Sequence, residues 1–263
     1  MSLITITGLL QGSGISTLAA NFCCSLSGLG KKVILVDLDQ RNFVSSLLGN
    51  PITNFDGWAY QQAYAQDWSN SYYISPNKLP FIPFGNPYYG VDDENIALLK
   101  QTRWSKKKLY DLDTPLLNDM LSELSQQFDY VVLVMPSPTL ERNPNKLLHS
   151  INGKVDLQLI TVNPDARSYT LLHHYFDFNH LSNTKIILNN YISYSQLQQD
   201  FVLLYKEEIS QHLVPTLIHQ DMVMQEAAAK LTTVRHYSPE SQATRDYKLL
   251  ALWAIAYLSK LHV

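Results

Sequence analysis

The sequence predicts an α/β fold: a doubly wound, mainly parallel sheet of seven or eight strands with helices on both faces. Three observations carry that expectation. Ile4 to Asp39 reads as strand, glycine loop, helix and strand in immediate succession. Apolar runs at 130–135, 157–162 and 185–189 are continuous rather than alternating, as in strands buried on both faces. Helical patterns stand between them, and strands separated by helices build parallel sheets. The 263 residues are read as one domain, and 46% hydrophobic against 16% charged residues supplies ample apolar mass for a core.

Ile4-Thr5-Ile6-Thr7 is β-branched and apolar, hence the first strand. Gly8, Gly12 and Gly14 then mark a loop whose backbone must bend tightly or approach something closely. Ser16-Thr17 opens a helix over Leu18 to Leu29, Gly30 stops it, and Lys31 and Lys32 complement its C-terminal dipole. Val33 to Val36 is the second strand, ending in Asp37. A glycine loop feeding a helix N-terminus aims backbone N–H groups at one point, which suits an anion; the competing reading is an empty turn. Asn42 to Leu48 predicts a short helix.

Residues 50–78 are an aromatic-rich insertion with Phe55, Trp58, Tyr60, Tyr64, Trp68, Tyr72 and Tyr73. Two readings stand for it: rings packed on one another, or anchors for a protein partner. Leu79 to Gly85 predicts a short strand and turn, and residues 86–113 an irregular segment whose basic cluster, Arg103 and Lys106 to Lys108, is read as solvated. Thr114-Pro115 starts a helix that runs to about Phe128. Tyr130 to Met135 is a central strand, and Leu157 to Val162 follows, with a helix from Asp165. Lys185 to Asn189 is the next strand, then a helix near Ser195 to Leu213, a closing strand at Val214 to Ile218 and a final helix over Pro239 to Leu261.

Composition narrows the function classes. A net charge of −3 advertises no nucleic-acid partner. Cys23 and Cys24 are adjacent, too local for a structural staple, and are read as reduced and packed in a cytoplasmic protein. The chain runs straight into its first strand, so no signal peptide is expected. No apolar stretch approaches the roughly 18 residues that a transmembrane segment needs. His173-His174 lacks a third ligand at metal spacing.

Two families fit the glycines. Thr7-Gly8-x-x-x-Gly12-x-Gly14 is similar to the dinucleotide fingerprint of short-chain dehydrogenases, which would make this an NAD(P)-dependent reductase. That chemistry needs a Tyr-x-x-x-Lys pair, and none of the 16 tyrosines has lysine four residues on. Gly12-Ser13-Gly14-Ile15-Ser16-Thr17 resembles the deviant Walker A loop of the MinD/ParA-type P-loop ATPases, whose pattern is K-G-G-x-G-K-[ST]. Asp37-Leu38-Asp39-Gln40 resembles their Asp-x-Asp switch, Asn189 their adenine-contacting asparagine, and Ile218 to Asp221 their adenine-side loop. The resemblance implies ATP or ADP with Mg²⁺: Gly12, Ser13, Gly14, Ile15, Ser16, Thr17, Asn189 and Asp221 around the nucleotide, Ser16 and Asp37 toward the metal, and Asp39 as the catalytic group that orients water.

A narrower likeness rests on Gly57-Trp58 with Gln66-Asp67-Trp68, Leu79 to Gly85, Ser195 to Asp200 and Leu213 to Asp221. These resemble, in the same order, the cellulose biosynthesis accessory family BcsQ. It implies a cytoplasmic regulatory subunit working with BcsR- and BcsE-like subunits and the inner-membrane cellulose synthase, recruited to the membrane through them, with a homodimer also open. The alternative within the superfamily is a partition or positioning ATPase of the ParA/MinD kind. Departures from the pattern point to a degenerate site. The lysine that reaches across an ATP-sandwich dimer falls on Leu10, the phosphate-binding lysine on Ile15, and the Walker B carboxylate on Val134. Binding without brisk turnover, at most a weak ATPase, is therefore expected, and restoring lysine at position 15 is expected to raise affinity.

Overall fold

β1 (Ser2–Gly8) lies inside a seven-stranded sheet, with β5 (Tyr130–Val134) on one side and β6 (Leu157–Val162) on the other. The computed structural model describes all residues except 52, 87–113, 138–151, 177–181 and 262–263. Beyond β5 lie β2 (Val33–Asp37), β4 (Pro80–Ile82) and β3 (Tyr73–Ile74), and beyond β6 lies β7 (Thr184–Leu188). All pairings are parallel except β3 with β4. The doubly wound, mainly parallel sheet expected from sequence is what forms. Strand β3 was not expected; it falls inside the aromatic insertion.

Alternation along each strand divides the core between two faces. Ile4, Ile6, Val33, Leu35, Val132 and Val134 join one cluster, while Leu3, Ile34, Val36, Val131 and Leu133 join another. Helix α1 (Ile15–Gly28) and the last helix, α9 (Gln242–Leu261), cover the first face. Helices α3 (Trp58–Ala63) and α4 (Thr114–Ser125) cover the second. A third cluster joins the β6–β7 end to α5 (Ala166–Tyr175) and α6 (Gln196–Ile209). Short helices α2 (Phe43–Leu47), α7 (Met222–Ala229) and α8 (Val234–Tyr237) complete the set among the described residues.

One expectation changes, and one open choice narrows. Val214 to Ile218 is not a strand. It lies along β7, with Val214 N–H donating to Ile186 O at 2.9 Å and Ile218 N–H to Leu188 O at 3.0 Å. Pro215 has no N–H to give, so no continuous ladder forms and only isolated bridges remain. The aromatic insertion is built into the core at Trp58 and Trp68, which are 2% and 8% exposed in the second cluster. These two rings are therefore not surface anchors. The basic cluster at Arg103 and Lys106 to Lys108 lies outside the described residues.

The strand order places the site. From β1 the chain passes through α1 to β2, skipping over the position of β5; from β5 it continues to β6 on the far side of β1. Loops leaving the C-terminal ends of β1 and β5 thus diverge and open a crevice, the usual ligand position in doubly wound sheets.

Candidate functional site: the glycine loop and the segment after the second strand

The loop between β1 and α1 sits at that crevice. Gly12 and Gly14 have φ of 85° and 89°, a left-handed backbone that only glycine adopts readily. A Cβ at Gly12 would meet nothing within 4 Å, so this backbone faces open space. A Cβ at Gly14 would fall 2.3 Å from Asn189 Nδ2. The loop is held from beneath: Asn189 Nδ2 donates to Ser13 O at 2.7 Å, and the Ser13 and Thr161 hydroxyls are 2.9 Å apart. Ser13 N–H is spent on Leu10 O at 3.2 Å. Among the described residues, the N–H groups of Gly14, Ile15, Ser16 and Thr17 have no protein acceptor. Those four aligned donors at a helix start are the physical content of an anion site.

Both positions of the missing lysines are filled inward. Ile15 is 3% exposed and belongs to the first core cluster, over Gly8, where a Cβ would come 2.7 Å from Ile15 Cγ1. Leu10 packs against the third cluster. At the Walker B position Val134 is fully buried, and its register partner on the neighbouring strand is Asp37.

Asp37 ends β2 and Asp39 lies two residues beyond it, and both are buried. Asp37 Oδ1 accepts from Asp39 N–H at 2.9 Å, whereas Oδ2 has no hydrogen-bond partner, although the nearby Val44 N–H favours the charged form. Burial, reinforced by the Asp39 charge, pushes the Asp37 carboxyl pKa well up. Asp39 is clasped by Arg41, whose Nε lies 2.9 Å from both carboxylate oxygens and whose terminal nitrogen pairs with Oδ2. Those hydrogen bonds hold the guanidinium more firmly protonated than usual. Arg41 lines a cavity of ≈ 390 Å³ together with Gly12, Gly14, Ile15, Ser16, Thr17 and Phe43.

A second cavity, ≈ 250 Å³, continues from Gly12, Gly14, Thr17 and Phe43 toward Asn189, His219 and Asp221. Asp221 caps α7 through Val223 N–H at 3.1 Å and also accepts from Ala243 N–H at 3.2 Å, so it braces this wall. His219 Nδ1 is 2.9 Å from the buried Asp246 Oδ2, and its ring stands edge-on to Tyr191. A phosphate cradle and an adjoining ring-sized recess thus share one rim.

A family model described as cellulose biosynthesis protein BcsQ matches residues 1–255. The chain belongs to the BcsQ family. The cellulose biosynthesis protein BcsQ of Escherichia coli (strain K12) is 26% identical over 268 residues, covering 99% of this chain and 97% of the relative. The cell division ATPase MinD of Pyrococcus furiosus superposes with a TM-score of 0.71 at 19% identity, covering 97% of this chain and 98% of that one. The septum site-determining protein MinD of Pyrococcus horikoshii OT3, solved with Mg-ADP, gives 0.67 at 20% identity, covering 95% and 94%. These likenesses establish the MinD-type fold for this BcsQ chain.

Of the residues picked out from sequence, the structure brings Gly12, Gly14, Ile15, Ser16, Thr17, Asn189 and Asp221 to the two cavities. Ser13 stands behind the loop as its support, and Ile15 reaches the wall while its side chain is buried in the core. Asp37 and Asp39 line neither cavity; Arg41 covers Asp39. No metal-binding cluster of His, Cys, Asp or Glu occurs among the described residues, and His173 pairs with Glu208 at 3.0 Å. Arg41 was missed. Its signal was available: a lone cation two residues past Asp39 in a chain whose loop lacks lysine.

Proposed function

We propose that this BcsQ-family chain is the nucleotide-responsive regulatory subunit of a bacterial cellulose synthesis system. The family match across residues 1–255 carries the reading. It acts in the cytoplasm through protein partners, BcsR- and BcsE-like subunits and the inner-membrane synthase, and reaches the membrane through them. No described helix is long and apolar enough to cross a membrane itself.

The ligand at the loop is ATP or ADP with Mg²⁺. The residues fit that group: four unpaired N–H groups from Gly14 to Thr17, an open face at Gly12 and a recess beside Asn189 for the base. Ser16 on the cavity wall would hold Mg²⁺, and Asp37, buried outside both cavities, is the carboxylate that the family pattern assigns to the metal's outer surroundings. Bound Mg²⁺ supplies charge neutralisation at the phosphates. What the chain adds is position: backbone donors grip phosphate, and Asn189 fixes the loop from behind.

Deleting the gene in the source bacterium and weighing cellulase-digestible glucan tests the reading. Cellulose should fall and return with the wild-type gene but not with Gly14→Val, which crowds Asn189 and cannot hold the loop's backbone. Undiminished glucan in the deletion strain would overturn it. The fold shared with MinD keeps a positioning ATPase as the second reading. A septum or partition defect with normal cellulose would select that one instead.

A further inference from the structure

We infer that Arg41 is the phosphate-binding cation of this site, stationed on Asp39 until an anion enters the loop. The inference rests on the nucleotide reading above and adds a residue to it. Phosphate gathered by N–H groups alone would have no cationic side chain beside it, since both family lysine positions are apolar. Position 15 is packed into the core and position 10 against the third cluster, so neither can supply charge. Among the described residues lining the two cavities, Arg41 is the one arginine or lysine.

Its placement suits the role. The Arg41 side chain is 31% exposed, whereas the Asp39 carboxylate it clasps is 3% exposed. The guanidinium thus lies at the rim, with the cavity on one side and a buried anion on the other. The residue sits on the tight turn before α2, where Asn42 takes a left-handed backbone with φ of 51° and Phe43 lines both cavities. A guanidinium presents five N–H donors in a planar fork, and phosphate oxygens match that fork as carboxylate oxygens do. Moving from Asp39 to phosphate exchanges one bidentate partner for another of higher charge. It also uncovers Asp39, the carboxylate that Arg41 masks in the ligand-free chain.

Calorimetry with Mg²⁺ and ADP on the wild type, Arg41→Ala and Arg41→Lys tests this. Alanine should weaken ADP at least tenfold, and lysine should recover most of the loss. Equal ADP affinity in wild type and Arg41→Ala would overturn the role of Arg41 while leaving the nucleotide reading intact. No ADP binding by the wild type would remove both. Arg41→Ala strands the Asp39 charge and can fail to fold, so a second measurement uses the wild type alone. Phenylglyoxal modification of Arg41, followed by peptide mass spectrometry, should slow with ADP and Mg²⁺ but not with adenosine. An unchanged rate with saturating ADP would overturn the assignment.

Discussion

Asp37 Oδ2 is a fully buried carboxylate oxygen without a hydrogen-bond partner, and that shapes how stability responds to pH. Burial first, and the Asp39 charge second, raise the folded-state pKa well above the ordinary carboxylate value. The folded chain therefore holds the proton over a pH range in which the unfolded chain has lost it. Across that range stability falls as pH rises, and it stays at the lower level above the folded pKa. Asp37→Asn keeps an acceptor for Asp39 N–H and removes the buried charge. In EDTA at pH 8 it should melt higher than the wild type by about 2–4 °C, on the order of 1 kcal/mol in a chain of this size. The gap should close as pH is lowered toward 4; a gap that is constant or widens on acidification would contradict the account. Ile15 sets the opposite expectation. From the motif alone, lysine there should raise nucleotide affinity, but Ile15 is 3% exposed in the first core cluster. Ile15→Lys should lower the melting temperature by several degrees, about 2–5 kcal/mol of lost packing and buried charge, whatever affinity it gains. An unshifted melt would mean that the ammonium reaches solvent through the cavity.

Helix α3 links the aromatic insertion to the segment after β2. The Trp58 indole N–H donates to Asp37 O at 2.7 Å, and Trp58 N–H and Ala59 N–H bind Pro83 O and Phe84 O, each at 3.0 Å. Gly57 and Gly85 allow this docking, since a Cβ at Gly57 would strike Gly85 N at 2.2 Å. Trp58→Ala should cost about 3–5 kcal/mol, and Trp58→Phe about 1–3 kcal/mol through the stranded carbonyl; urea denaturation measures both. Full stability with loss of a partner would restore the interface reading of this ring. The insertion shows why some elements were legible in the sequence and others were not. Continuous apolar runs gave β1, β2, β5, β6 and β7, because burial on both faces leaves no other pattern. Gly12, Gly14 and Gly30 gave the loop and the end of α1 through backbone demands that are local. Trp58 and Trp68 carry no such local mark, since an aromatic ring reads alike as core or as anchor. The Val214–Ile218 segment has the side chains of a strand, and the missing amide of Pro215 is what interrupts its ladder. In the site, residue types showed the cradle, while the pairing of Arg41 with Asp39 required the turn that brings them together.

At the scale of the whole molecule, the question is whether a second copy completes the site. In the MinD/ParA pattern a lysine crosses from one subunit to the other's phosphates, and here its place is taken by Leu10. That side chain packs against its own subunit, in the cluster that contains Ile160, Leu172 and Val202. Freeing it would expose apolar surface, and it carries no charge to deliver. Arg41 lies on the chain's own loop rim, so among the described residues the cation beside the loop comes from the same subunit. One electrostatic donor removed from a transition state costs about two to three orders of magnitude in rate. With both lysine positions apolar, turnover should sit near background even when ADP binds well. Light scattering with a non-hydrolysable ATP analogue and Mg²⁺ should return the same mass as without it. Phosphate release per mole of protein should also stay flat as protein concentration rises, because no second subunit contributes a catalytic group. A nucleotide-induced dimer whose specific activity climbs with concentration would show that another residue reaches across, and would return the chain to the MinD mode of action.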